Sequence, residues 1–403
     1  MKVLLIDVNC KNSSTGRIVY DLYTNLNATG HTAAVCYGKG PRINEPNICK
    51  FGLDWETTLH ALLTRITGYT GCFSFFSTRR LLQFIQAFQP DVVHIHELHA
   101  YFVNIKPLLQ YLKRNRIPTV CTLHCEFMYT GKCGYSLECQ QWKHQCVACP
   151  RVRAYPKSWL FDRTKHMFLE KKALYEGFDN LQITAPSQWL LERAKQSMLA
   201  DKKAAVIPNG IDTDVFYPRD TAALRKELGI AEDEKIILAL APYLMSDRKG
   251  GRHVLAIAEK LAGEKIRFVM VGADDPTVPV PENVILNGPV YDIGLLAQYY
   301  SLADAFVICS QRENFPTTCL EAQCCGTPVY GYDAGGTKET ALVRNDRFVT
   351  YGDTAALAQL LEAAPRKTEE SIRALRCQAE NAYSKRQMFK HYCALYQKGI
   401  AQK

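Results

Sequence analysis

The chain has 403 residues, 47% apolar and 22% charged, with a formal net charge of +9. That apolar content fills two ordinary domain cores and excludes a disordered chain. The basic balance admits anionic substrates or an acidic membrane surface, but the absence of a long Lys/Arg run and the sparse Arg/aromatic interleaving exclude a dedicated nucleic-acid module.

The opening MKVLLIDVNC is a short apolar run broken by Asp7, so it reads as a buried strand and not as a signal peptide. Strand-like runs follow at Val3–Val8, Asp91–His96, Thr119–Leu123, Leu181–Ala185, Ile236–Ala241, Arg267–Val271, Asn283–Leu286 and Ala305–Cys309. Helical stretches such as Gly16–Thr29, Val254–Ala262 and Asp292–Ala303 lie between them. The alternation predicts an α/β protein with parallel sheets covered on both faces. Turn residues crowd into VIPNGIDTDVFYPRD, which suits a crossover between domains. The expected domains are 1–205 and 206–384, and the stretch from Ala382 on reads as an amphipathic helix. No run of about eighteen apolar residues occurs, so no membrane-spanning helix is expected. The protein is expected in the cytoplasm, and its sixteen cysteines are expected to be thiols or metal ligands before disulfides.

Several motifs carry chemistry. After the first strand, Ser13–Ser14–Thr15–Gly16 opens a helix with small residues, which by itself describes a helix cap. It lacks G-x-G-x-x-G, which weakens a dehydrogenase reading. In DVVHIHELHAYFVN, His94 and His96 share one strand face, and a core role is the plain reading of His94. His124, in TVCTLHCEF, ends a strand where α/β folds bind ligands. Cys133, Cys139, Cys146 and Cys149 follow, spaced by five, six and two residues. Four thiols ending in C-x-x-C suit a structural zinc; packed reduced thiols and disulfides are the other readings. Arg248 and Lys249 lie in PYLMSDRKGG at a strand's carboxyl end, where two cations would neutralise a leaving diphosphate. As a solvated loop pair they need no such role.

The richest stretch is VICSQRENFPTTCLEAQCCGTPV. Pro316 suits a helix start, and Gly326 with Pro328 suits its stop. Thr317 and Thr318 then fall in the first turn, whose backbone N–H groups form a ready phosphate site. Glu313 precedes that helix and Glu321 lies inside it, so two carboxylates frame the anion site. A capped surface helix is the competing reading of the same residues.

This segment resembles the Glu–seven-residues–Glu motif of the family 4 retaining glycosyltransferases, which have the GT-B fold. The likeness extends to CGTPVYGYDAGGTKE, similar to the family's Gly-rich loop and ending in Glu339, and to PNGID at Pro208–Asp212. The Cys-rich insertion resembles one in exopolysaccharide transferases of the colanic acid type. The resemblance implies two Rossmann-like domains facing across a cleft, with a C-terminal helix of about 385–403 packing back on the first. It implies that Glu321 holds the donor ribose, that Glu313 contacts the transferred sugar, and that the segment with Asn314, Phe315, Thr317 and Thr318 meets the diphosphate. Gly16 belongs to the loop facing the donor phosphates. Lys249 matches the family lysine, and Arg248 stands in for an earlier arginine replaced here by Pro242 and Tyr243. His124 is assigned to the transferred sugar and His99 to the acceptor. Where the related subgroup often reads Leu-His-Asp, Cys125 replaces the aspartate.

The expected reaction is retaining transfer from a UDP- or GDP-sugar to a glycan or polyprenyl-linked oligosaccharide in surface polysaccharide biosynthesis. No catalytic metal is expected, because Asp212-Thr213-Asp214 lies in the crossover loop. The acceptor places the enzyme at the inner membrane face, with peripheral contact, and no nucleic-acid partner is expected. The competing functions are a GT-B nucleotide-sugar 2-epimerase and a non-catalytic nucleotide-sugar-binding subunit. A phosphorylase is disfavoured because no lysine is placed for a pyridoxal cofactor.

Overall fold

The computed structural model describes residues 1–401 apart from 274, 276, 277 and 344–346. It divides into two compact units, one of Met1–Pro208 together with the chain from Met388 on, the other of Asn209–Gln387.

The first unit holds a seven-stranded sheet of β1 (Lys2–Asp7), β2 (Thr32–Tyr37), β3 (Ile48–Lys50), β4 (Val92–Ile95), β5 (Thr119–Thr122), β6 (Leu181–Ala185) and β7 (Lys203–Val206). The strand order is β3-β2-β1-β4-β5-β6-β7 and every pairing is parallel. Its helices are α1 (Ser14–Ala28), α2 (Asp54–Thr67), α3 (Phe75–Phe88), α4 (Ile105–Arg114), α5 (Thr164–Tyr175) and α6 (Gln188–Lys195). A parallel strand covered on both faces must be apolar on both, and β1 is. Leu4 and Ile6 pack on one side with Leu108, Leu109 and Leu112 of α4. Val3 and Leu5 pack on the other with Ile18, Val19 and Leu22 of α1.

The second unit holds a six-stranded sheet of β8 (Lys235–Leu240), β9 (Ile266–Val271), β10 (Val284–Asn287), β11 (Ala305–Ile308), β12 (Val329–Asp333) and β13 (Phe348–Thr350). The order is β10-β9-β8-β11-β12-β13, again parallel. The helices here are α7 (Ala222–Glu227), α8 (Gly251–Lys260), α9 (Ile293–Leu302), α10 (Thr317–Cys324), α11 (Thr354–Glu362) and α12 (Glu369–Tyr383). The last helix is α13 (Lys385–Ala401). Ala382 therefore lies in the last turn of α12, which ends at Tyr383, and the final helix opens at Lys385. Ser384 adopts an extended conformation that breaks the two apart. From Met388 on, α13 belongs to the first unit, and Met388, Tyr392 and Tyr396 join the Val3 and Leu5 cluster.

The eight strands expected from apolar runs are present, with ends shifted by a residue or so. The structure adds β2, β3, β7, β12 and β13. β2 is built mostly of small residues, and β3 and β7 are edge strands whose side chains are only partly buried. Weak apolar contrast left them illegible.

Candidate active site

Each sheet reverses its strand order once, between β1 and β4 in the first unit and between β8 and β11 in the second. In open parallel sheets the loops leaving two such neighbours diverge and leave a crevice at the carboxyl ends. Of the predicted site residues, Gly16, His99, Arg248, Lys249 and Glu313 fall on or just after these loops, His124 follows β5, and Thr317, Thr318 and Glu321 lie in α10.

In the second unit, β8 leads into the loop carrying Arg248 and Lys249, and β11 into the loop carrying Glu313. Residues 64 apart in sequence meet here. Lys249 Nζ donates to Glu313 Oε1 at 2.7 Å, and Arg248 Nη1 approaches the same oxygen at 3.4 Å. Glu313 and Lys249 are largely buried, whereas the Arg248 side chain is about half exposed. The backbone holds the carboxylate in place. Glu313 N–H donates to the Ala334 carbonyl (3.2 Å), and Gly336 N–H donates to the Glu313 carbonyl (2.9 Å). Gly335 lies between them at φ +81°, and a Cβ there would fall 2.1 Å from the Glu313 oxygen. Only glycine fits this crossing. Gly250 does the same for the other loop, where a Cβ would fall 2.2 Å from the Cys309 oxygen.

Pro316 occupies the position before α10, and no side chain caps the helix. The first-turn amides of Thr317 and Thr318 are the unpaired helix-start groups that favour an anion. Thr318 lines a small hollow with Lys249 and Ser310. Asn314 is buried. Phe315 is buried too, with its ring against Tyr383 at 5.9 Å. Its carbonyl accepts from Asn209 Nδ2 at 3.2 Å. Glu321 is buried, and its Oε2 accepts a hydrogen bond from the Tyr300 hydroxyl of α9 at 2.8 Å. Sequence patterns did not single out Tyr300. Asp212 pairs with Lys385 at 2.6 Å.

In the first unit, Gly16 lies in the first turn of α1, and its N–H donates to the Ser13 hydroxyl at 3.2 Å. That is the helix-cap reading of this segment. Asp7 ends β1 fully buried and was not singled out from sequence. Its Oδ1 accepts from Glu97 N–H (3.1 Å), and its Oδ2 from Asn9 N–H (3.3 Å) and the Thr15 hydroxyl (3.2 Å). Burial, reinforced by the Glu97 charge, still pushes its carboxyl up to about 7. An acid closing an apolar strand run was the signal available for it.

His94 is fully buried and both ring nitrogens are paired, with the Tyr396 and Thr122 hydroxyls at 2.6 Å each. His96 Nδ1 lies 3.0 Å from His124 Nε2. Burial holds all three rings below the ordinary histidine range, so they are neutral. His99 differs. Burial opposes its charge, but the Glu97 carboxylate contacts its Nε2 and drives the imidazole well above the usual range. Its Nδ1 meets the Tyr155 hydroxyl at 3.1 Å. Cys125 points its thiol at Glu97 Oε2, 3.7 Å away. The carboxylate beside His99 therefore comes from Glu97, after β4.

Cys133, Cys139, Cys146 and Cys149, for which a structural zinc is one reading, lie near enough for charge on one to disfavour charge on another, but no three of their sulfurs come within metal-holding distance. Among the described residues, the one group of three or more His, Cys, Asp or Glu donors spaced to hold a metal is Glu97, His99 and Cys125. All sixteen cysteines are free thiols. The insertion folds instead around buried Trp142, over which the Arg193 guanidinium lies at 4.4 Å. Arg193 pairs with buried Glu126 at 2.7 Å, and Cys146 Sγ accepts the Gly131 N–H at 3.4 Å. These contacts organise the loop around Trp142.

Residues 15–215 match the family described as Glycosyltransferase Family 4, and residues 234–364 match that described as Glycosyl transferases group 1. The chain is 25% identical over 416 aligned residues to the putative colanic acid biosynthesis glycosyl transferase WcaC of Escherichia coli K12, covering 98% of this chain and 100% of that one. It is 32% identical to the D-inositol 3-phosphate glycosyltransferase of Geodermatophilus obscurus, over 34% of each chain. Among solved structures, its fold resembles a sucrose-phosphate synthase from Thermosynechococcus elongatus, with TM-score 0.72 and 17% identity over the whole of both chains. It also resembles Anabaena Alr3699/HepE in complex with UDP, with TM-score 0.67 and 16% identity over 99% of this chain and 100% of that one. Two parallel-sheet units on this plan are the GT-B architecture, and the chain belongs to the glycosyltransferases that join a Family 4 amino-terminal domain to a group 1 carboxyl-terminal domain.

Proposed function

We propose that the protein moves a sugar, with retention of configuration, from a UDP- or GDP-sugar to a glycan or lipid-linked oligosaccharide during surface polysaccharide assembly. The observation that carries this reading is the meeting of Glu313 with Lys249 and Arg248 beside the uncapped start of α10. A diphosphate needs fixed positive partners, and two cations with a helix start supply them without reorganisation. The polysaccharide role is supported by WcaC, which is named for colanic acid biosynthesis, and the donor class by Alr3699/HepE, solved with UDP and with UDP-glucose.

In this reading Lys249 and Arg248 neutralise the departing diphosphate, and the Thr317 and Thr318 amides bind its oxygens. Glu313, released from part of its ion pairing when phosphate arrives, accepts hydrogen bonds from the transferred sugar. Glu321, oriented by Tyr300, takes the ribose hydroxyls. In the first unit, neutral His124 serves the transferred sugar and His99 the acceptor. The acceptor oxygen attacks on the face that the diphosphate leaves, and the diphosphate takes its proton, so the protein's work is positioning and charge stabilisation.

Thermal melting with UDP-, GDP- and dTDP-sugars tests donor binding, because a ligand of the folded state must raise its apparent stability. One nucleotide class is expected to raise the melting temperature. Glu313→Gln should keep that rise and lower turnover on the order of a hundredfold, the usual effect of removing one positioned transition-state contact. Full turnover in this variant would remove Glu313 from the reaction.

A further inference from the structure

Helix α2 is built inside out. Its buried residues are Glu56, Thr57, His60 and Thr64, all polar. Its outward stripe is Trp55, Leu59, Leu62 and Ile66, each between 37% and 56% exposed. Steps of four, three and four keep these four on one line along the helix. A surface helix of a water-soluble domain ordinarily shows the reverse arrangement.

Two of these four residues, Glu56 and His60, are firmly bonded, whereas the buried Thr57 and Thr64 hydroxyls have no partner among the described residues. Glu56 accepts from the Phe76 and Ser77 N–H groups at 2.8 Å each and from the Ser77 hydroxyl at 2.6 Å. His60 pairs through Nδ1 with the Ser74 hydroxyl at 2.8 Å and through Nε2 with the Gly71 N–H at 3.2 Å. These bonds fix the roll of α2, so the apolar stripe cannot turn inward. They also fix the start of α3, where Phe75 and Phe76 stand 62% and 60% exposed.

The exposed groups form one surface. The Trp55 ring meets Phe76 at 6.0 Å at one end of α2. At the other end, Trp159 N–H donates to the Arg65 carbonyl at 2.6 Å, and the Arg65 guanidinium lies 5.9 Å from the Trp159 ring. Phe161 is exposed beside it, with the Arg163 guanidinium 5.4 Å from its ring. The face runs the length of α2, about 20 Å, and exposes on the order of several hundred Å² of apolar surface, more than scattered single residues account for. Arg65 and Arg163 flank its aromatic end, and the exposed Asp54 beside Trp55 is paired with Lys50; the neighbouring chain is strongly basic. The segment 151–165 carries Arg151, Arg153, Lys157, Arg163 and Lys165 against the single acid Asp162, and Arg79 is exposed on the first turns of α3.

We propose that this face docks the protein on an anionic membrane surface. Aliphatic and aromatic side chains enter the interfacial layer, where tryptophan and phenylalanine are favoured, while the arginines meet lipid phosphates. A second copy is the poorer occupant, because a self-complementary contact would bring two of these basic segments together. The proposal deepens the lipid-linked acceptor reading and rests on it for its purpose, but its test needs no turnover.

The test is cosedimentation of the full chain with vesicles of phosphatidylcholine alone and of phosphatidylcholine mixed with phosphatidylglycerol. Binding is expected on the mixed vesicles, weaker on the neutral ones, and reduced by salt. It should carry a blue shift of tryptophan emission, because Trp55 and Trp159 are exposed. The double variant Leu59→Gln/Leu62→Gln should lose at least about tenfold in bound-to-free ratio, the effect of withdrawing two apolar side chains from the interface. Arg79→Glu/Arg163→Glu should abolish the preference for anionic vesicles. Both variants change exposed positions, so unchanged melting temperatures will show that they fold. The inference fails if the wild type stays in the supernatant with anionic vesicles, or if the Gln variant binds as the wild type does. It also fails if the wild type sediments as a dimer that the Gln variant reduces to a monomer. A nucleotide-induced rise in melting temperature without vesicle binding would sink this inference alone; vesicle binding without that rise would sink the donor reading alone.

Discussion

At the residue scale, Asp7 shows burial winning over hydrogen bonding. Three donors converge on its carboxylate, each favouring the charged form, yet full burial and the neighbouring Glu97 raise its pKa from the ordinary aspartate value of 3.8 to about 7. The folded state therefore holds a proton that the unfolded chain has released between roughly pH 4 and pH 7. Stability from this group is present at low pH and is lost as the pH rises through 7, by up to about 4 kcal/mol. Asp7→Asn cannot ionise. Its melting temperature relative to the wild type should increase from pH 5 to pH 8, and a constant difference would show that Asp7 is not held protonated. The ionic contact of Lys249 with Glu313 belongs to this scale too. Both residue types were legible in their loops, but their approach to 2.7 Å across 64 residues was not.

At the element scale, the crossing of two loops at Gly335 sets the position of Glu313. Gly335→Ala meets a backbone oxygen at 2.1 Å in addition to a left-handed conformation, and backbone cannot swing aside as a side chain can. A loss of about 2 kcal/mol or more is expected in urea denaturation, together with a weaker nucleotide-induced rise in melting temperature. Gly352→Ala is the control. It has φ +89° with nothing within 4 Å, so it should show only the conformational cost, about 1 kcal/mol. Element existence followed well from apolar runs, because buried parallel strands are apolar throughout. Element roll did not follow. The α2 sequence contains both a polar and an apolar line, and the usual rule would have turned the apolar one inward.

At the scale of the whole molecule, the chain's end is part of the first sheet's packing. Tyr396 reaches His94 across 302 residues, and Tyr392 reaches Thr122 across 270. Both pairs are buried. Tyr396→Phe keeps the ring and removes the hydroxyl, leaving a buried imidazole nitrogen without its partner. A destabilisation of about 1–3 kcal/mol is expected, read by chemical denaturation. A wild-type midpoint would show that the nitrogen finds another partner. Among the described residues no helix is long and apolar enough to cross a membrane.

The sequence by itself determined the α/β class, the alternation of strands and helices, and the loops that carry chemistry, because these follow from local periodicity and from the turn preferences of Gly and Pro. Only the tertiary structure decided which loops meet. It placed both cations on Glu313, brought Glu97 to His99 and Cys125, and turned the apolar line of α2 outward. Spacing along a chain does not encode distances between segments tens or hundreds of residues apart; packing of the sheets and their crossovers sets those.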